Sequence, residues 1–198
     1  MLIRSLFSAV LGYLLGSIST GILYSKFLLG KDVRTAGSNN AGASNMLRVH
    51  GVLPGILTFV GDCVKAIIAI TLGRVILQQH GAMIAGLFAV IGHNWPVFFS
   101  FKGGKGIACC SAVFILCYPL LGIPAVIIAV LVILITRYIS LGSIVMTVVF
   151  AILTLIFEGI WPAGVWAVLL MIMAVYRHRG NVQRLISGTE RKIGQREQ

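Results

Sequence analysis

Chemistry concentrates first in Gly92–Gly106, GHNWPVFFSFKGGKG, which leaves an apolar segment through His-Asn-Trp-Pro and enters a Gly-Gly-Lys-Gly turn. Glycines around a lysine let backbone N–H groups converge in one concavity beside an ammonium, a recurring way to hold a phosphate. The pattern is not a P-loop, because Gly106 stands where a hydroxyl residue would follow the lysine. The plain alternative is a tight polar turn between two hydrophobic helices.

Three further polar stretches share this character. AGSNNAGASNMLR (36–48) packs Gly, Ser and Asn ahead of Arg48, whose fork of donors suits phosphate or carboxylate. Ser44 or Asn45 is placed to cap a following helix. RYISLGS (137–143) offers Ser140 and Ser143 at a helix opening, where serines commonly cap. RHRGNVQRLISGTERK (177–192) sets His178, Asn181 and Arg184 at successive i, i+3 positions, which on a helix is one face. His93, between Gly92 and Trp95, reads as an interfacial residue that anchors a span.

No HExxH, CxxC or GxSxG pattern occurs, and five acidic residues leave no carboxylate pair for acid–base work. The four cysteines lie in apolar segments without metal-ligand spacing, so neither a metal site nor a disulfide framework is expected. The site implied is cationic and donor-rich, suited to phosphate-bearing ligands and needing no cofactor.

The elements that must position these residues are membrane helices. Of 198 residues, 58% are hydrophobic and 11% charged, and the mean hydropathy is +0.99; a soluble domain needs no such excess. The net charge of +11 is not read as nucleic-acid binding, because the chain has little soluble surface to carry a basic stripe. Apolar segments fall near 6–28, 52–77, 82–101, 107–121, 123–136, 143–157 and 161–176. The fourth and fifth can alternatively be one span broken near Gly122 and Pro124. Basic and non-basic connections alternate strictly only with seven spans, which puts the N-terminus outside and the tail in the cytoplasm. All four polar stretches then share the cytoplasmic face. Within the second segment, Asp62 and Lys65 stand one turn apart in hydrocarbon and are expected to pair.

GSNNAGASN with Arg48, GHNWPVFFSFKGGKG and HRGNVQRLISGTERK together resemble, in order and spacing, the three cytoplasmic motifs of the bacterial acyl-phosphate-dependent glycerol-3-phosphate acyltransferases. The resemblance covers nearly the whole chain. Two positions depart from the family pattern: Asn39 stands where glycine is usual, and Ser44 where threonine is usual. The resemblance implies an all-α membrane protein, a bundle of seven transmembrane helices in a single integral-membrane acyltransferase domain over residues 1–198. It implies a multi-pass enzyme of the bacterial cytoplasmic membrane with its active site on the cytoplasmic face. The reaction implied moves an acyl group from acyl-phosphate to the 1-hydroxyl of glycerol 3-phosphate, with membrane lipids around it and no obligatory protein partner.

By the same resemblance, Ser38, Arg48, Lys105, Ser143, His178 and Asn181 line the glycerol-phosphate site, with Lys105, His178, Arg48 and Asn181 catalytic. Asn40, Gly42, Gly103 and Gly104 cradle the acyl-phosphate, and Ser44, Asn45, His93 and Arg184 complete the substrate-binding set. The competing class is a transporter or channel for phosphate compounds, for which polar residues at membrane depth would speak. Such proteins show internal repeats or broken helices at the midplane, whereas here the special residues collect on one face.

Overall fold

The computed structural model describes residues 1–195. Among them the chain forms nine α-helices and no strand. Five stretches are long and apolar enough to cross a membrane: Leu2–Leu29, Val52–Phe99, Pro119–Thr136, Ile139–Phe157 and Ile160–Arg177. Ile107–Cys117 is apolar but shorter. The protein is an integral membrane protein whose chain folds as two compact units, Met1–Cys117 and Tyr118–Gln198.

In the first unit, α1 (Leu2–Gly16) and α2 (Thr20–Leu29) lead through a loop to α3 (Ala43–His50), the long α4 (Val52–Asn94) and α5 (Ile107–Cys117). The first apolar segment, expected to be continuous, is therefore two helices. It breaks at Ser17–Ser19, where the Ile18 carbonyl accepts from Lys65 Nζ at 2.6 Å and Ser17 Oγ accepts from Val97 N at 3.4 Å. Helix α4 is two arms joined at Leu77 (φ −148°, ψ 37°) and Gln78 (φ 49°, ψ −137°), both outside helical geometry. A break near 78–81 agrees with the sequence reading.

Close backbone approach holds this unit together. A Cβ on Gly12 or Gly16 would run into the carbonyls of Ala85 and Ala89, and one on Gly73 into Gly81 O. In lipid, tails are as apolar as leucine, so helices associate by such small-residue packing. The large side chains point outward instead: Leu2, Ile3, Phe7, Val52, Ile56 and Val75 are exposed while Ala66, Ala69, Ala85 and Ala89 are buried.

The second unit comprises α6 (Pro119–Thr136), α7 (Ile139–Phe157), α8 (Val165–Arg177) and α9 (Arg179–Ile186). The joint before α6 lies at Tyr118 (φ −142°, ψ 75°), not near Gly122 and Pro124, which both lie inside α6. Pro119 explains the shift, since a proline is best placed in the first turn, where its missing N–H has no helical partner. Leu121, Gly122, Ala125 and Ala129 form the buried stripe of α6. Arg137, at φ 64°, turns the chain into α7. The tail returns to this corner: Ile193 N donates to Arg137 O at 2.9 Å, and Lys192 Nζ lies 5.5 Å from the Tyr138 ring centre.

Candidate active site

In the first unit, α2 ends at a left-handed Gly30, and Asp32 caps a single helical turn, Val33–Thr35, by accepting from Arg34 N at 3.0 Å. The Arg34 side chain turns back on the same carboxylate, with Nη2 2.8 Å from Oδ2. Its remaining nitrogen, Nη1, donates to Phe99 O at 3.0 Å and Lys102 O at 3.1 Å. One guanidinium thus ties the first polar loop to the Gly-rich turn. Hydrogen bonding from Arg34 holds the Asp32 carboxyl well below the usual carboxylate range, against the opposing effect of partial burial.

The loop between Val33 and Gly42 is built around Asn45, which is buried on α3. Its Nδ2 donates to Val33 O, Ala36 O and Asn40 O at 2.9 to 3.1 Å, and its Oδ1 accepts from Ser38 N at 2.8 Å. Gly37 (φ 64°) and Asn39 (φ 54°) are both left-handed. The departure at 39 therefore falls on a backbone that glycine adopts freely and asparagine better than most residues. Asn40 Oδ1 accepts from Gly42 N at 3.0 Å, closing the turn into α3. Neither Ser44 nor Asn45 caps that helix, whose N-cap is Gly42. Asn45 is drawn to the loop backbone instead. Ser38 and Ser44 are exposed, and Arg48, one turn beyond Ser44, is half-buried.

The second stretch is equally determined. Tyr13 Oη donates to Trp95 O at 3.0 Å. Ser100 (φ 55°) and Phe101 (φ 58°) turn the chain left-handed before the glycines. Gly103 and Gly104 are buried against His93, whose carbonyl accepts from Gly104 N at 3.0 Å. A Cβ on Gly103 would meet that carbonyl, and one on Gly104 the His93 ring. Helix α5 follows at once; its first internal bond runs from Cys110 N to Gly106 O at 2.7 Å. The opening N–H groups of α5 thus lie outside its own ladder, next to half-buried Lys105.

In the second unit, His178 is the joint between α8 and α9, with φ −97° and ψ 6°. Its Nδ1 donates to Ala174 O at 2.8 Å, because a carbonyl only accepts; the ring lone pair is then on Nε2. Asn181 and Arg184 lie on α9, and both reach Glu190: Asn181 Nδ2 to Oε1 at 2.6 Å, Arg184 Nε to Oε2 at 2.8 Å. Ser140 Oγ donates to Oε1 at 2.7 Å. Burial pushes the Glu190 carboxyl up, but the hydrogen bonds from Ser140, Asn181 and Arg184 outweigh it and hold the group below its ordinary value. Ser143, buried one turn along α7, donates to Ile139 O at 2.8 Å. The two serines are thus not caps of α7, whose N-cap is Tyr138.

The chain matches the family model described as glycerol-3-phosphate acyltransferase over residues 6–188. It is 43% identical over 189 residues to a glycerol-3-phosphate acyltransferase of Thermoanaerobacter sp. (strain X514), covering 96% of both chains. It is 39% identical to one of Clostridioides difficile (strain 630), again over 96% of each. The chain belongs to the glycerol-3-phosphate acyltransferase family. Its fold agrees: a crystal structure of the integral membrane acyltransferase PlsY in its glycerol 3-phosphate form superposes with a TM-score of 0.90 at 34% identity, covering 96% of each chain. The lysophosphatidic acid form gives 0.86 at 32% identity, covering 96% of this chain and 95% of that one.

In this acyltransferase, the first unit brings Ser38, Asn40, Gly42 and Asn45 into one hydrogen-bonded loop and ties it through Arg34 to the turn that carries Gly103, Gly104 and Lys105. The second unit joins Asn181 and Arg184 on one carboxylate. Among the described residues, no group of three His, Cys, Asp or Glu side chains is placed to hold a metal. Sequence reasoning missed Asp32, Arg34 and Glu190. A signal existed: in a chain with only five acids among sixteen Lys and Arg, an acid inside a basic loop is worth explaining, and Asp32 and Glu190 are both such acids.

Proposed function

We propose that the protein is an acyl-phosphate:glycerol-3-phosphate 1-O-acyltransferase, making lysophosphatidate and inorganic phosphate for phospholipid synthesis. The observation that carries this reading is the Gly103–Gly104–Lys105 turn, held in place by His93 and Arg34 at the opening of α5, in a chain of this family. The 1-hydroxyl oxygen attacks the acyl carbonyl carbon, and the bond to the phosphate oxygen breaks with its electron pair on the leaving phosphate. An acyl-phosphate is a mixed anhydride and already activated, so the protein supplies positioning and neutralisation of two anions.

Lys105, Arg48, His178 and Asn181 act on the reacting groups in this reading. Ser38, Ser143 and Arg184 bind glycerol phosphate with them, while Asn40, Gly42, Gly103 and Gly104 cradle the donor. Ser44 and Asn45 complete the set, to which His93 belongs through the Gly103–Gly104 backbone that it holds. The hydroxyl proton passes to a phosphate oxygen of the substrate, with His178 Nε2 as the competing acceptor. The same reading has seven spans, the N-terminus outside and the site on the cytoplasmic face, supported by the alternation of basic and non-basic connections. Reporter fusions at both termini test that orientation; a cytoplasmic N-terminus overturns it.

The decisive experiment is phosphate release by purified protein from acyl-phosphate, with and without glycerol 3-phosphate, and with acyl-CoA as control donor. The expected result is release that depends on glycerol 3-phosphate, with lysophosphatidate formed and acyl-CoA inert. No release from folded protein overturns the reading.

A further inference from the structure

Against the Gly-rich turn lies a set of buried polar groups that make and break no bond in the acyl transfer. Lys65 and Asp62 of α4 are 4% and 1% exposed, and His93 at the end of the same helix is 3% exposed. Lys65 Nζ lies 2.6 Å from Ile18 O, 2.8 Å from Asp62 Oδ1 and 3.0 Å from His93 Nδ1. The contacts to Ile18 O and His93 Nδ1 are hydrogen bonds, while the one to Asp62 Oδ1 is an ion pair outside hydrogen-bond geometry; an ammonium has hydrogens to give and no lone pair.

The ammonium facing Nδ1 decides the state of the ring. A nitrogen 3.0 Å from an ammonium faces it with a lone pair, since a second proton between them would oppose the first. Asp62 Oδ1 is farther from the same nitrogen, at 3.5 Å. Nδ1 is therefore the acceptor, and the ring hydrogen sits on Nε2. That edge lies directly against Gly104, where a Cβ would run into Nε2, while the His93 carbonyl accepts from Gly104 N at 3.0 Å.

We propose that Asp62 and Lys65 lock His93 as its neutral Nε2–H tautomer, making His93 a positioning residue that fixes the Gly103–Gly104 backbone in its phosphate-holding form before substrate arrives. The ring braces the turn on one side and the His93 carbonyl holds it on another. A charge pair left in hydrocarbon needs compensating partners. Here the compensation is a chain of contacts from the α1–α2 break, through the pair, to the turn. The role of the turn in this proposal rests on the acyl-transfer reading; the tautomer does not.

Two measurements test it. The first is 15N NMR of histidine-labelled wild-type protein, with His93 assigned by elimination using His50→Gln, His80→Gln and His178→Gln. An Nε2–H tautomer at neutral pH is expected; an Nδ1–H tautomer or a doubly protonated ring overturns the lock. The second compares His93→Gln with His93→Asn in steady state. The Gln amide nitrogen reaches toward the place of Nε2, whereas that of Asn reaches only toward Nδ1. His93→Gln is expected to keep KM for acyl-phosphate within about threefold, and His93→Asn to raise it about tenfold or more at near-constant kcat. Equal KM values in the two variants, or a loss confined to kcat, overturn the positioning role. An inactive wild type would fell the acyl-transfer reading instead, and the NMR result would still decide the tautomer.

Discussion

Asn181 Nδ2 donates to Glu190 Oε1 at 2.6 Å, and Ser140 Oγ converges on the same oxygen at 2.7 Å. One carboxylate thereby sets the orientation of a proposed substrate-contacting amide. Glu190→Gln turns part of this acceptor into a donor facing other donors, which is worse than losing one bond. The expected effect is a fall in activity of about tenfold or more, with a loss of stability of roughly 1–3 kcal/mol, read from turnover and thermal unfolding in detergent. The pH dependence follows from the lowered folded-state value. The stabilisation is present above the ordinary carboxylate range and is lost as pH falls through the folded value. Acidification should therefore lower the melting temperature of the wild type more than that of Glu190→Gln; parallel curves would show that the carboxylate does not carry the effect.

Arg34 joins the first polar loop to the Gly-rich turn through Phe99 O and Lys102 O while its other nitrogens hold Asp32. An ammonium cannot reproduce this fork. Arg34→Lys should leave the helices folded but raise KM for a phosphate-bearing substrate several-fold. Kinetics with each substrate varied in turn are the check, and unchanged constants would show that the turn keeps its shape unaided.

Lys105 lies between Gly104 and Gly106 and stands half-buried at the opening of α5. Lys105→Ala should lower kcat by about a hundred- to a thousandfold, a loss typical of removing a preorganised electrostatic group, without a change in melting temperature. Gly104→Ala should act differently, through KM and stability together, because the added methyl meets the His93 ring. Near-normal turnover in Lys105→Ala would remove the turn from the mechanism.

The left-handed backbone of Asn39, at φ 54°, predicts that Asn39→Gly is neutral or slightly stabilising. Asn39→Val should destabilise the loop by about 1–2 kcal/mol, the scale of left-handed strain in a non-glycine residue, and weaken substrate binding. Ser44 is exposed on α3, so Ser44→Thr should change neither stability nor kinetics. A large effect in either direction would mean that the added methyl meets a fixed neighbour during catalysis.

His178 Nδ1 is tied to Ala174 O, which directs the ring lone pair to Nε2, the form of a base. With a substrate phosphate oxygen taking the proton, His178→Gln should cost less than about a hundredfold in kcat and keep the wild-type pH profile. A loss of about a thousandfold, with the acidic limb of the profile moved, would assign the base to the ring, since general-base catalysis is worth roughly 10²–10⁴.

Much of this was legible in the sequence because it is local. Helical membrane segments follow from hydropathy, the break in α4 from its glutamines and glycine, the Asp62–Lys65 pair from one-turn spacing, and the Gly-rich turn from composition alone. What only the tertiary structure decided is which distant group each polar side chain meets. Lys65 meets the first apolar segment at Ile18, 47 positions away, and orients His93, 28 away. Ser140 reaches Glu190, 50 away, and Arg34 reaches Phe99, 65 away. Caps expected at Ser44, Asn45, Ser140 and Ser143 gave way to such partners or to bonds inside the helix. A local cap is worth about 1 kcal/mol, whereas a buried polar group left unpaired costs as much or more. The larger penalty prevails, and its partners are chosen by packing, not by spacing along the chain.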